Sequence, residues 1–588
     1  MILYYDWFDE CPAFGLGIRF FMKQMLMKNY FFIVLTLLLS TIAMAQPKLI
    51  NNGTATQLLV DNKPFIVLGG ELGNSSASNV ADVQRIFPKL NQMGLNTVLV
   101  PAYWELIEPI EGQFDFSLTD TILQTAQKNN LKVIFLWFGA WKNSMSCYAP
   151  QWVKTDYECF PRAHTSQGKP LEIASAFSPN VLKADSTAFI TWFKHILSVD
   201  KQQTVVMIQI ENEIGMLEDA RDHSAVANKL FNEQVPQTLI SYLTQNKKTL
   251  HPIMLEKWGN NKYKTSGSWA EIFGSDIYTD ELFMAYYYAT YVEHLASAAR
   301  HLSPIPLYVN AAMNSRGRIP GQYPSAGPLA HLIDVWHCAA PSLDIISPDI
   351  YDSGFTTWAS QYKLHNNPLF IPEMRLCADN GVQAFYAIAE HDAIGVSPFS
   401  IENGSESNDA PMVRAYRTLR SLMPIITANQ GKGTMHGFLF SKADDERIIL
   451  DSDLKITCKH FFTLPWDARA TDGSAWPNGG GMLIRLNNDE YLLAGSGIVT
   501  TFEHQTENNT KKKLGEDGFE ISGTETTNTQ WNGTERVGIL LCNEVMIDNN
   551  GQMQYIRRLN GDEDHQGRHV RIGVDDFKIL HVKLYRYK

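Results

Sequence analysis

Between about residues 60 and 400, short apolar runs alternate with longer amphipathic segments, the pattern of repeated strand–helix units. Strand cores are predicted at 65–70, 96–102, 132–138, 205–210, 307–311, 345–350, 369–371 and 395–400. Between them, apolar positions recur every three or four residues at 80–93, 118–128, 186–197, 230–245 and 280–301, which predicts helices. Eight such units predict an α/β chain built on a (β/α)8 TIM barrel. A doubly wound sheet would more often carry a glycine-rich phosphate loop after its first strand, and no G-x-G-x-x-G stands there. The segment 140–175, rich in Trp, Tyr, Pro and Ser, falls where a barrel places its βα loops, so it is expected to shape the mouth of a site.

After a final helix at 411–427 and a linker at 429–433 the pattern changes to short β runs such as 490–494, 537–541 and 579–584. Turn signals punctuate them: Asn532-Gly533, Asn549-Asn550-Gly551 and Asn560-Gly561. The expected organisation is a barrel over 46–428 followed by an all-β sandwich over 429–588, whose role is either sugar binding or packing. A chain of 588 residues has room for two or three domains, and its 45% hydrophobic and 11% aromatic content excludes a disordered polymer. The formal charge of −12 argues against nucleic acid as a partner.

The N-terminus reads as an export address. Lys23 and Lys28 precede the apolar run 31–39, which closes on Ala43-Met44-Ala45, so 22–45 is expected to be a signal peptide and Gln46 the first mature residue. The apolar run is too short for the ~20 residues of a spanning helix, so stable membrane insertion is not expected and the product should be periplasmic or secreted. Residues 1–21 carry Asp6, Asp9 and Glu10, unlike an export sequence; Met22, Met25 or Met27 is the expected translation start. Beyond Cys11, six cysteines (Cys147, Cys159, Cys338, Cys377, Cys458 and Cys542) form no CxxC or Cys/His cluster, which gives a zinc site little support and leaves pairing open.

The candidate chemistry lies in Val206-Met207-Ile208-Gln209-Ile210-Glu211-Asn212-Glu213-Ile214-Gly215, an apolar strand ending in two carboxylates that flank an amide. Barrel enzymes hold their reactive groups at such strand ends. In a regular strand Glu211 and Glu213 share a face and Asn212 takes the other; a bulge or turn can bring Asn212 and Glu213 together. Glycosidic cleavage needs one carboxylic acid and one carboxylate. The second candidate is Glu373, at the end of the brief apolar strand in Asn367-Pro368-Leu369-Phe370-Ile371-Pro372-Glu373-Met374-Arg375. Glu213 then ends the fourth strand and Glu373 the seventh.

With glutamates ending both the fourth and the seventh strand, the chain resembles glycoside hydrolase family 35, the β-galactosidase family, within the clan of retaining 4/7 barrels. Gln209-Ile210-Glu211-Asn212-Glu213-Ile214-Gly215 is similar to that family's Q-x-E-N-E-Y-G motif, with Ile214 for Tyr. The stretch 96–105 with Pro109, Glu111-Gly112 and Phe114-Asp115-Phe116 is similar to its second-strand signature, and Gly69-Gly70-Glu71 ends the first strand. The resemblance spans about 63–399 and departs at the third strand, which lacks P-x-x-C-A-E-W, and after Glu373, where the usual aromatic is missing; it points to a divergent subgroup.

The resemblance implies that Glu213 is the general acid/base, Glu373 the nucleophile, and Asn212 the partner of the sugar 2-hydroxyl. Further substrate-binding candidates are Tyr351, Glu71, Trp104, Trp141 and Asn143, with Glu105, Asn310 and Arg375 also at predicted strand ends; Arg375 is expected to hold Glu373 ionised. No cofactor is implied. The expected function is an exported retaining exo-β-galactosidase with a carbohydrate as its partner. A β-glucanase or β-mannanase of the same clan, and a catalytically silent carbohydrate-binding barrel, are the alternatives.

Overall fold

The computed structural model describes residues 46–314, 316–507 and 532–588. The segments 1–21 and 22–45, and with them the start-site and export expectations, lie outside the described residues. Eight parallel strands form the predicted barrel: β1 (Val67–Leu68), β2 (Thr97–Tyr103), β3 (Lys132–Lys142), β4 (Val205–Asn212), β5 (Leu307–Ala312), β6 (Ile345–Ile350), β7 (Phe370–Met374) and β8 (Gly395–Pro398). Ladders join neighbours from β2 around to β1, and the ring closes just past β1, where Leu99 N donates to Gly70 O and Leu72 N to Leu99 O. An antiparallel hairpin and third strand, Lys48–Asn52, Ala55–Val60 and Lys63–Phe65, plug the end where the strands begin. There Leu58 and Val60 join Val67, Ile134, Tyr308, Ile345 and Phe370 in one buried cluster. The other end is left open as the mouth.

The helices follow the amphipathic segments with two differences. The segment at 186–197 extends to α1 (Pro179–Val199), opened by Pro179 behind the Ser178 cap. The single helix expected over 230–245 is two, Ala225–Asn232 and Gln237–Gln245, because Pro236 cannot donate within a helix and pushes its predecessor to extended backbone. The long helix α2 (Ile277–Arg300) runs close to its predicted limits.

The β-rich part is a sandwich of two antiparallel sheets. One has six strands, in the order Met435–Phe440, Gly479–Asn487, Glu490–Ser496, Lys578–Tyr587, Arg536–Ile547 and Met553–Leu559; the other has four. Alternation along the strands explains the layering. Leu483, Leu493, Leu580 and Val582 face the four-stranded sheet's Ile456, Ile498 and Val570, while Met482, Ile484, Leu492 and Ala494 join the core of the barrel helices. Those helices are α3 (Asn380–His391) and α4 (Pro411–Asn429). Gly437 sets the closeness of the approach: a Cβ there would stand 2.6 Å from the carbonyl oxygen of Tyr386. The stretch 429–433 is therefore no free linker; Thr54 N donates to Gly431 O and Asn52 Nδ2 to Gln430 O, tying it to the N-terminal hairpin.

Candidate active site

The last residues of β4 leave regular strand geometry where the motif begins. Glu211 and Glu213 adopt left-handed backbone (φ 58° and 46°), uncommon for side chains with a Cβ. This turn answers the question of faces: Glu211 points down into the protein, whereas Glu213 shares the mouth with groups from five other strand ends. Gly215 completes the motif because an added Cβ would lie 2.8 Å from the Pro324 carbonyl carbon.

Glu213 is 5% exposed and Glu373 4%. One carboxylate oxygen each of Glu213, Glu373 and Asp349 lies within 4.8 Å of the others. Asn310, at the end of β5, ties two of them together, accepting from Glu213 N at 3.0 Å and donating through Nδ2 to Asp349 Oδ2 at 2.6 Å. Asn143 Nδ2 donates to Glu213 Oε2, and Tyr351 OH donates to Glu373 Oε1. Lys142 stands beside Asn143, donates to its side-chain oxygen, and is itself buried.

Burial and charge set the protonation states. Burial first, then the charge of Glu373, push Glu213 up to about 7; Lys142 and a hydrogen bond with Asp349 pull the other way. Burial, reinforced by Glu373, holds Glu71 well above the usual carboxylate range, with Lys142 opposing. Asp349 is raised in the same direction by burial, then by Glu373, Glu213 and Glu71. Burial and the neighbouring carboxylates thus favour the neutral, donating forms of Glu71 and Asp349. Tyr351 is pushed up by burial and by Glu373, so its phenol stays a hydrogen-bond donor.

Both amide atoms of Asn212 are buried here with no protein partner, and both carboxylate oxygens of Glu71, Asp349 Oδ1 and Glu373 Oε2 have no donor other than a neighbouring carboxyl, Glu71 meeting Glu373 and Asp349 meeting Glu213. Unpaired buried groups are costly, and a cluster of them at one mouth is the arrangement a polyhydroxylated ligand would satisfy. A cavity of about 250 Å3 opens beside them, lined by Glu213, Asp349, Tyr351, Tyr323, Arg316 and Arg318.

The structure brings Glu213, Glu373, Asn212, Tyr351, Glu71, Asn143 and Asn310 together. It withholds four candidates. Trp104 is buried, its indole N–H on Glu108 Oε2 at 3.0 Å and its ring edge-on to Trp152, because the chain turns into the helix Trp104–Ile107 instead of continuing toward the mouth. Trp141 is buried behind the site, edge-on to Tyr288 and Tyr291 of α2. Glu105 pairs with Lys154 at 3.8 Å. Arg375 donates to the Tyr351 carbonyl at 2.7 Å and not to Glu373, so Tyr351 takes the supporting role expected of the arginine. Of the loop 140–175, only Lys142, Asn143 and Ser144 touch Glu213 or its immediate partners; the remainder folds as a short helix, Gln151–Thr155, and a hairpin, Arg162–His164 with Pro170–Ala174. All six cysteines among the described residues are free.

Two groups of the site were absent from the sequence reading. Lys142 escaped because β3 was expected to stop at Phe138, before Gly139; the strand continues through a register shift to Lys142. Asp349 was legible in principle, at the C-terminal end of β6 two residues before Tyr351.

Fold and site together define a (β/α)8 barrel with two buried glutamates at the ends of its fourth and seventh strands. Residues 76–282, which include Glu213, match the family described as Beta-galactosidase, glycoside hydrolase family 42, and that segment is β-galactosidase-like. Residues 412–571 match a Domain of unknown function, DUF5597, whose span takes in most of α4 as well as the sheets packed on it. The narrower resemblance to family 35 is not supported: the matched family is 42, and a Glu-Asn-Glu strand end answers to the chemistry more than to one family. A beta-galactosidase from Xanthomonas manihotis is 26% identical over 178 residues, 29% of this chain and 27% of that protein, so the chain matches about a quarter of that relative's length. Among solved structures, a beta-galactosidase from Rahnella sp. R3 is similar at 15% identity over 62% of this chain and 57% of that one, TM-score 0.42. A catalytic mutant of a GH42 beta-galactosidase from G. stearothermophilus gives 15%, 62%, 57% and 0.43, and a beta-mannanase from the blue mussel Mytilus edulis gives 14%, 64%, 97% and 0.38.

Proposed function

We propose that this chain is a retaining glycoside hydrolase that removes terminal β-galactosyl residues by double displacement. The observation that carries the reading is the Glu213–Glu373 pair, with one carboxylate oxygen of each within 4.8 Å of the other. Retaining enzymes hold their carboxyls ~5–5.5 Å apart, inverting ones ~6.5–9.5 Å, to leave room for a water. Glu373, fixed by Tyr351, attacks the anomeric carbon while Glu213 delivers its proton to the leaving oxygen. Esterification of Glu373 removes the charge that helped raise Glu213, so Glu213 becomes the better base just when a water must be activated. Asn212, with an unpartnered amide, fits the sugar 2-hydroxyl, and neutral Glu71 and Asp349 fit further hydroxyls as donors.

A screen of aryl glycosides tests the assignment. Release of the aryl group from the β-galactoside, lost in Glu373→Gln, supports it; no hydrolysis of any aryl glycoside favours the silent binding barrel. Internal cleavage of a β-glucan or mannan by the native chain would favour the endo-acting alternative. Export remains part of the proposal, on the pattern at 22–45, and a mature N-terminus at Gln46 is its test.

A further inference from the structure

The mechanism leaves one acid of the Glu-Asn-Glu motif unused. Glu211 is wholly buried and turned away from the mouth, with Oε2 accepting the backbone N–H of Trp141 at 2.8 Å. Facing it from α1 is Asp185, also wholly buried, which accepts Trp137 Nε1 on Oδ1 and the Tyr291 hydroxyl on Oδ2, both at 2.8 Å. The two carboxyls meet over Gly139. A Cβ on that residue would lie 2.8 Å from Glu211 Oε1 and 2.7 Å from Asp185 Oδ1, so both oxygens converge on one point that only glycine leaves open.

Two ionised carboxylates in such a spot would repel in a low-dielectric interior, and no Lys, Arg or His bonds to either among the described residues. The donors decide where the proton sits. Asp185 already receives an indole N–H and a phenol, whereas Glu211 Oε1 receives nothing. We infer that Glu211 is a neutral acid whose Oε1–H donates to the Asp185 carboxylate, and that this buried bond positions Asn212 and Glu213 by holding the left-handed turn at the end of β4.

The turn needs holding. Left-handed backbone is strained for residues with a Cβ, and Glu211 and Glu213 both adopt it around Asn212. Glu211 reaches both Trp141 of β3 and Asp185 of α1, so its two bonds tie the turn to two elements behind the mouth, while Glu213 is held from the mouth side by Asn143. Burial raises Glu211 well above the usual carboxylate range, and Asp185 adds to that. The titratable groups facing Glu211 are Asp185 from α1 and Tyr291 from α2; Glu108 lies farther off, within the field of Asp185.

The catalytic part of this inference rests on the hydrolase reading; the protonation part does not. The test compares the full chain with Glu211→Gln and Glu211→Met. A glutamine amide donates to Asp185 and accepts from Trp141 N, reproducing the neutral acid, whereas methionine fills the volume and does neither. On an aryl β-galactoside, Glu211→Gln should keep kcat within about 3-fold of the native chain, and Glu211→Met should lose about 100-fold or more in kcat with KM little changed, as a displaced acid/base would.

Thermal unfolding from pH 5 to 9 supplies the independent readout. A carboxyl whose folded pKa is raised contributes stability fully present below its unfolded value and lost as pH rises toward the folded one. The Tm of Glu211→Gln should therefore gain on the native chain steadily with pH. A Glu211→Gln variant as inactive as Glu211→Met overturns the positioning role. A Tm gap that does not grow with pH overturns the neutral acid, whether or not the chain hydrolyses galactosides.

Discussion

Replacing Glu373 by Gln should lower the pKa of Glu213, because the substitution keeps volume and polarity and removes one charge. The structure bounds the effect. Two unit charges 4.8 Å apart at an effective dielectric of ~20 interact by about 3.5 kcal/mol, roughly 2.5 pKa units. Glu213 stands at about 7 against an ordinary 4.5, burial is the larger cause, and Lys142 and Asp349 already offset part of the rise. The drop should therefore be at least about 1 unit. The assay is 13C NMR titration of the Glu213 carboxyl, which needs no activity from the variant. A Glu213 that still titrates near 7 in Glu373→Gln would refute the argument, since burial alone would then account for its proton and the switch from acid to base would lose its cause.

Three further outcomes follow from the same geometry. Tyr351→Phe removes the phenol donor from the Glu373 carboxylate; a hydrogen bond to a buried charge contributes ~1.5–3 kcal/mol, so kcat should fall about 10- to 100-fold with the fold intact by circular dichroism. In the native chain kcat/KM should be full below about 7 and fall above it as Glu213 loses its proton, and a pH–rate profile lacking that alkaline limb would count against Glu213 as the acid. Trp141→Ala should destabilise by ~3–5 kcal/mol in chemical denaturation through the cavity it leaves, without removing any direct contact to the sugar.

The barrel was legible because each buried parallel strand is a bounded apolar run and each helix shows its stripe, and all eight strands fall where the pattern places them. Glu213 and Glu373 were legible for a local reason, a charged residue at the end of such a run. What escaped depends on contacts far apart in sequence. Lys142 lies past a glycine that reads as a strand end, yet β3 bulges and continues. Asp185 sits on the same face of α1 as Val181, Phe189 and Trp192, a polar residue in an apolar stripe, but its partner Glu211 is in another element. The tryptophans Trp104 and Trp141 misled in the opposite sense: aromatics at strand ends can stack on sugars, and here they pack inward. The docking of the C-terminal sheet on α3 and α4 is likewise invisible in period-2 alternation alone, which tells that a strand has two faces but not that both are covered.

The pairing of Glu213 with Glu373 as acid/base and nucleophile of a retaining enzyme, with one oxygen of each within 4.8 Å of the other, is the central claim. Proton NMR of the first sugar released from an aryl β-galactoside tests it most directly. The β-anomer should appear first and mutarotate afterwards; the α-anomer as the first product would contradict the pairing.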